Sequence, residues 1–206
     1  MARYTGPKNR LARREGMDLG LKTVGSKAHA GLLRRLGIIP GLHGVKGRRK
    51  ISDYGAQLRE KQKVKRMYGL LERQFRKVFE RAKTWKGNTG EKLLEFLERR
   101  LDNAVYRMGL APTRGFSRQI VAHGHVLVNG KKVNIPSYLV SVHDVIMLKS
   151  KALAMAPVQK LLEDKALKVP EWIERAGPAG KITRHPVRSD VNEDINEKLI
   201  IEHYSR

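Results

Sequence analysis

An α+β fold is what the sequence predicts, on three observations. Apolar side chains recur at intervals of three and four residues between Ser52 and Met108, which is the period of amphipathic helices. Asn129-Gly130 stands between the β-prone runs Val126-Leu127-Val128 and Lys131-Lys132-Val133, a hairpin signal because both residues of a tight turn need positive φ. Asp144 to Leu148 reads as a further strand, and Trp172 to Arg175 pairs with Lys181 to Arg184 around Ala176–Gly180.

Residues 1–50 read as irregular, because glycines from Gly6 to Gly55 and the prolines Pro7 and Pro40 interrupt every helical pattern. The exception is Ala28 to Leu36, where Leu32, Leu33 and Leu36 could share one side of a brief helix. Such a basic segment is either ordered by a partner or left as a solvated tail. From Ser52 the pattern turns helical, with Ser52 or Asp53 as the cap. Leu58, Val64, Tyr68, Leu71, Phe75, Val78 and Phe79 line this stretch, and Gly69 divides it in two or bends it.

Lys86 to Gly90 is a linker; Asn88 or Thr89 caps the next helix, with Glu91 and Glu95 near its positive end. Leu94, Leu97, Leu101, Val105 and Met108 lie on one face of that helix, which Gly109 ends. Pro112-Thr113 opens another helix that runs to His123, with Thr113 as its cap. A modest helix is expected between Val158 and Leu167, and a final one near Glu193 to Tyr204 that carries Ile195, Leu199 and Ile200.

The 206 residues hold 43 Lys+Arg against 20 Asp+Glu, a formal charge of +23. The excess is +11 over residues 1–50, +7 over 51–100, +4 over 101–150 and +1 over 151–206. Self-repulsion of that size points to a polyanionic partner, met mainly by the first half of the chain. Cysteine is absent, which removes disulfide scaffolds, thiolate zinc sites, iron–sulfur clusters and cysteine nucleophiles. No apolar run approaches the roughly 18 residues of a membrane helix. Met1 to Pro7 has no apolar stretch resembling a signal peptide, and Gly6-Pro7 breaks the amphipathic helix of a transit peptide. A cytoplasmic protein with an ordinary core is the expectation.

Several basic groups are candidates for the anion surface. Arg114 and Arg118 are four apart and share one helix face, while Phe116 and Ile120 share another. With the apolar face packed on the preceding helix, both guanidiniums are expected to point outward. Arg99, Arg100 and Arg107, with Lys131 and Lys132 on the hairpin, extend that surface, and the planar guanidinium fork suits phosphate. Lys61, Lys63, Lys65 and Arg66 crowd one helix: Lys61 and Lys65 share a face, while Arg59, Lys63 and Arg66 spread around the other side. Such a helix fits insertion between several RNA backbones, against the alternative of a solvated surface. Arg73 and Arg76 continue the basic run on the next helix. Lys46, Arg48, Arg49 and Lys50 sit in a glycine-containing loop, where flexible cations can follow phosphates.

No nucleotide loop, Ser/His/Asp set or Glu-rich metal cluster appears in the sequence. The seven histidines (His29, His43, His123, His125, His143, His185 and His203) lack a ligand pattern, so neither a metal nor another cofactor is expected.

Arg100 to Gly109, with Thr113-Arg114 and Val128-Asn129-Gly130, resembles the RNA-binding module of the ribosomal protein S-four family. The resemblance extends through Met1 to Pro7, Arg13 to Gly16, Pro40 to Gly44, Ser52 to Gly55, Leu58 to Lys63 and Tyr68 to Phe75. Asp194 to Glu197 and Tyr204-Ser205-Arg206 complete it, so that it runs essentially end to end in family order. Many members carry zinc-binding cysteines in the N-terminal region, and residues 25–39 here contain none.

The resemblance implies a basic N-terminal extension over 1–50, a mostly helical domain from 51–88 plus 187–206, and an inserted module over 89–186. That module holds the RNA-binding motif (about 98–160), a helix-turn-helix followed by antiparallel strands. It implies a structural, non-enzymatic constituent of the small ribosomal subunit that clamps a junction of ribosomal RNA helices and nucleates assembly of the subunit body. Arg3, Lys8, Arg10, Arg13 and Arg14 would follow ribosomal RNA, and Tyr4 would stack on a base or sugar, or hydrogen-bond, or simply pack. The Lys46 to Lys50 loop would lie where messenger RNA enters the subunit. Proteins S-three, S-five and S-twelve would be neighbours, with a role in decoding accuracy. Some pseudouridine synthases join a similar module to a domain whose catalytic aspartate lies in Arg-Leu-Asp. Here Arg100-Leu101-Asp102 falls inside the module itself, so Asp102 is expected to make a local salt bridge or helix-end contact.

Overall fold

A computed structural model of the chain describes residues 4–47, 50–164 and 168–205. The expectations that fall on Arg3, Arg48, Arg49 and Leu167 lie outside the described residues. The helices are α1 (Lys8–Glu15), α2 (Lys27–Leu33), α3 (Asp53–Met67), α4 (Glu72–Lys83) and α5 (Thr89–Glu98), followed by α6 (Leu101–Arg107), α7 (Arg114–Ala122), α8 (Ser150–Leu153), α9 (Ala156–Glu163) and α10 (Glu197–Tyr204). The strands are β1 (Val126–Val128), β2 (Lys131–Lys132), β3 (Val145–Leu148), β4 (Ile173–Ala176) and β5 (Ala179–Ile182). By contacts the chain divides into two compact units, Met1–Gly90 with Glu193–Arg206, and Glu91–Asn192.

The first unit is helical. Ser52 caps α3 by accepting the Gly55 amide at 3.2 Å. Gly69, at φ +65°, turns the chain, so the long periodic stretch becomes two helices rather than one bent helix. α10 packs on α3. Its Tyr204 ring stacks on Phe79 with centroids 4.5 Å apart, with Phe75 6.2 Å away. Val64, Phe75 and Ile200 are fully buried.

The reading of residues 1–50 as irregular needs correction. Pro7 holds φ −66° immediately before α1, and Gly16, at φ +77°, ends that helix by donating its amide to Ala12. These residues mark the helix ends instead of preventing the helix. In α2, Ser26 caps the helix and Leu32 is buried, but the helix stops at Leu33, which is half exposed.

The second unit carries an antiparallel sheet of strand order β2-β1-β3-β5-β4. Val126, Val128, Ile146, Leu148, Ile173 and Ile182 share one core with Leu101 and Val105 of α6, Met108 just after it, Ile120 and Val121 of α7, and Trp172. Burial alternates along β3: Ile146 and Leu148 face inward, Val145 and Met147 outward. The β1–β2 turn forms as its sequence requires, with Asn129 at φ 49° and Gly130 at φ 77°. Asn129 also ties the hairpin to β3, donating to Asp144 at 2.8 Å and accepting the Val145 amide at 2.9 Å.

Several elements of this part of the chain differ from the sequence expectation. The helix expected through Met108 is two, α5 and α6, broken at Arg99-Arg100. The break is imposed from elsewhere: the Leu101 and Asp102 amides donate to the carbonyls of Tyr138 and Pro136, and the Val140 amide donates to Arg99. α8 was not foreseen, and α9 begins two residues before Val158. The second hairpin turns tightly at Gly177-Pro178, and α10 starts at Glu197 rather than Glu193.

Candidate nucleic-acid interface

At the α6–α7 corner the expected outward pair is turned in. Arg114 and Arg118 are each 8% exposed, and Arg100 is 5% exposed. Arg100 grips Asp102 with Nε and Nη2 at 3.0 and 2.7 Å, and Arg118 Nη1 reaches the same carboxylate at 3.3 Å. Arg114 donates to Asn103 Oδ1 at 2.8 Å and lies over the Tyr106 ring. Asn103 in turn donates to Glu98, which Arg107 holds in a two-pronged contact at 2.9 and 2.8 Å. Ser117 donates to the Asp102 carbonyl.

The physical reason is that α6 supplies an acid and an amide facing α7, and buried guanidiniums must be paired. These residues, Arg100 and Arg107 among them, form the scaffold of the corner. Arg99 belongs to it too, donating to the Val140 carbonyl at 3.0 Å and to Glu95 at 3.0 Å. The local salt bridge expected for Asp102 is present.

α3 distributes its cations as the helical spacing requires, but each finds an acid. Lys61 and Lys65 both reach Glu72, at 2.8 and 2.7 Å, and Tyr204 Oη donates to the same carboxylate at 2.9 Å. Burial alone would raise the Glu72 pKa, but the hydrogen bonds from Lys61, Lys65 and Tyr204 hold it down to about 2. Burial, reinforced by Glu72, pushes the Tyr204 phenol well above its ordinary range. Lys63 pairs with Glu60 at 2.7 Å. Arg59 and Arg66, on the other side, converge on one oxygen of Glu15. Burial raises the Glu15 pKa against the opposing pull of Arg59, Arg66, Arg14 and Lys63.

The remaining candidates face solvent: Arg10 and Arg14 on α1, Lys46 and Lys50 between α2 and α3, Arg73 and Arg76 on α4, and Lys131 and Lys132 on β2. Arg76 pairs with Glu80 at 3.0 Å one turn away. Arg13 is half-buried and anchors the loop through the Ile38 carbonyl at 2.9 Å, and Lys8 is also half-buried. Tyr4 is 45% exposed, with its phenol end folded over Gly6, where an added Cβ would displace the ring. The sequence reading passed over Lys77 and Arg81, which continue Arg73 along an exposed stripe of α4 at a spacing of four visible in the sequence. Lys27, Arg34 and Arg35 are also exposed, in a stretch from Leu19 to Ser52 without a single acid.

In the N-terminal region, Asp18 Oδ2 and His29 Nε2 lie 2.8 Å apart, and Gly20 donates to the other Asp18 oxygen. One imidazole already committed to a carboxylate does not make a tetrahedral zinc site, so the residues present do not fit the metal. Among the described residues no group of three potential ligands converges, and no helix is long and apolar enough to cross a membrane.

Cations spread over helix and strand surfaces, with several acids drawn inside to hold the scaffold, define the class of a polyanion-binding protein. Comparison with known proteins makes the class specific. Residues 3–98 match the ribosomal protein S4/S9 N-terminal domain, and residues 99–146 match the S4 domain. The chain is 50% identical over 209 aligned positions to the small ribosomal subunit protein uS4 of Citrifermentans bemidjiense, with all of both chains covered. The chain belongs to the uS4 family of ribosomal proteins.

Proposed function

We propose that this protein is a structural constituent of the small ribosomal subunit that binds small-subunit ribosomal RNA early and nucleates assembly of the subunit body. The observation that carries the reading is the excess of exposed cations over exposed acids. Arg10, Arg14, Lys46, Lys50, Arg73, Lys77, Lys131 and Lys132 are exposed, while Glu15, Glu98, Asp102 and Asp144 are turned inside against cations or amides. An exterior of this kind offsets phosphate repulsion wherever RNA helices converge. A-form RNA hides its major-groove edges, so recognition runs through phosphates, 2′-hydroxyls and exposed bases. Two units with basic surfaces clamp a multi-helix junction, because only the native arrangement of RNA helices satisfies both together.

The loop around Lys46 and Lys50 is assigned to the region where messenger RNA enters. S-three, S-five and S-twelve are assigned as neighbours, with an influence on decoding accuracy. An RNA-modifying activity centred on Asp102 is disfavoured, since that carboxylate is buried between Arg100 and Arg118. The test is filter binding of the purified chain to a small-subunit ribosomal RNA transcript across a salt series. Six to ten phosphate contacts predict a loss of about 10³ to 10⁵ in affinity between roughly 50 and 200 mM salt. A flat salt response refutes the proposal.

A further inference from the structure

We propose that Arg59 and Arg66 of α3, held side by side by the buried Glu15 carboxylate of α1, form a seat for a single phosphodiester group of RNA. The inference rests on the RNA-binding reading above and deepens it by naming one subsite. Three observations carry it.

First, the two guanidiniums share one acceptor: Nη1 of Arg59, at 3.3 Å, and Nη1 of Arg66 both donate to Oε1 of Glu15. Seven residues apart on α3, they occupy the same helix face two turns apart, and the single carboxylate draws them together. Second, the charge there is unbalanced. Arg14, Arg59, Lys63 and Arg66 all act on Glu15, and of these Lys63 is also paired with Glu60. Third, burial is asymmetric. The Glu15 side chain is 3% exposed, whereas those of Arg59 and Arg66 are 29% and 20% exposed. The acid is sealed on the inner side and the cations reach the surface.

A guanidinium carries five N–H donors in a fixed fork. Glu15 takes one from each arginine, so most of the donors are not used by the acid that positions them. Two pre-aligned forks with net positive charge match the tetrahedral oxygens of a phosphodiester, which each can bind in a bidentate manner. Glu15 is the positioning residue: it fixes both rotamers in advance, so the ordering of two long side chains is not charged against RNA binding. The burial that opposes the charge of Glu15 is partly countered by these cations.

The experiment uses the full chain and a small-subunit ribosomal RNA transcript, with affinity read over a salt series for wild type, Arg59→Met, Arg66→Met and the double variant. Circular dichroism reports folding. Each single variant is expected to bind roughly tenfold more weakly with the slope of log affinity against log salt close to that of the wild type, because the remaining guanidinium still neutralises the phosphate. The double variant should lower the slope by about 0.9, the worth of one phosphate. A loss of about 0.9 in each single and about 1.8 in the double overturns the inference, since it would mean two independent phosphates, as does a slope unchanged in the double.

If a methionine variant does not fold, the charge-conserving Arg59→Lys/Arg66→Lys chain decides. Loss of the fork with both charges kept should leave the slope and weaken binding about tenfold, and unchanged affinity overturns the seat. Weak, salt-insensitive binding by the wild type refutes the RNA-binding reading itself. Steep wild-type binding with unaffected variants refutes this subsite alone.

Discussion

Asp102→Ala is the sharpest perturbation the structure offers. The carboxylate receives two hydrogen bonds from Arg100 and one from Arg118, and all three side chains are at most 9% exposed. Removing it takes the acid away from the Arg100 guanidinium and one acceptor away from Arg118 inside the α6–α7 corner. Breaking a buried pair by deleting one partner costs about 3–5 kcal/mol, because the cost is the uncompensated buried charge and not merely the lost attraction. Against the 5–15 kcal/mol typical of a domain, that is a large share.

The assay is urea unfolding followed by tryptophan fluorescence in a Trp85→Phe background. Trp85 is 57% exposed and is removed so that Trp172, fully buried in the core of the sheet-containing unit, reports alone. With a slope of about 2 kcal/mol per molar urea, the midpoint should fall by about 2 M. Asp102→Asn, which keeps an acceptor but no charge, should restore part of the loss. A midpoint shift below about 0.5 M for the alanine variant would refute the account of Asp102 as the acid that holds this corner closed.

Two further outcomes follow from the same reasoning. The folded pKa of Glu72, held to about 2, lies below its ordinary value of 4.5, so the stability it contributes is present above about pH 4.5 and is lost as pH falls towards 2. Its side chain is 45% exposed, and solvent screening reduces the contribution to about 1 kcal/mol. The stability gap between wild type and Glu72→Gln should therefore shrink over that window, measured by urea titration at stepped pH; a gap constant with pH would contradict it. At the β1–β2 turn, Gly130 is at φ +77° with open space around it, so Gly130→Val pays only for its backbone. It should cost about 1–2 kcal/mol and lower the Tm by several degrees; a Tm unchanged by the substitution would show that the turn adapts.

What was legible in the sequence was local. Thr113 and Ser52 cap α7 and α3 because an N-cap needs only a side-chain oxygen two or three residues from an amide. Asn129-Gly130 makes its turn for the same reason. Features set by distant partners could not be read. The break between α5 and α6 depends on carbonyls at Pro136 and Tyr138, more than 30 residues on. The spacing of Arg114 and Arg118 showed that they share a face, but not that Asp102 and Asn103 would meet that face from another helix. On α3 the two sets of cations were separated correctly by periodicity. Their acids, Glu72 and Glu15, came from other helices, and only the folded chain identifies which cations each acid holds.

The helical unit is assembled from both ends of the chain: Tyr204 of α10 closes against Phe75, Phe79 and Glu72 of α4, and α10 packs on α3. During synthesis, residues 91–192 emerge as one continuous stretch and can fold while the α3–α4 platform still waits for its final helix. The platform made first therefore closes its apolar face only once α10, made after the second unit, docks on it.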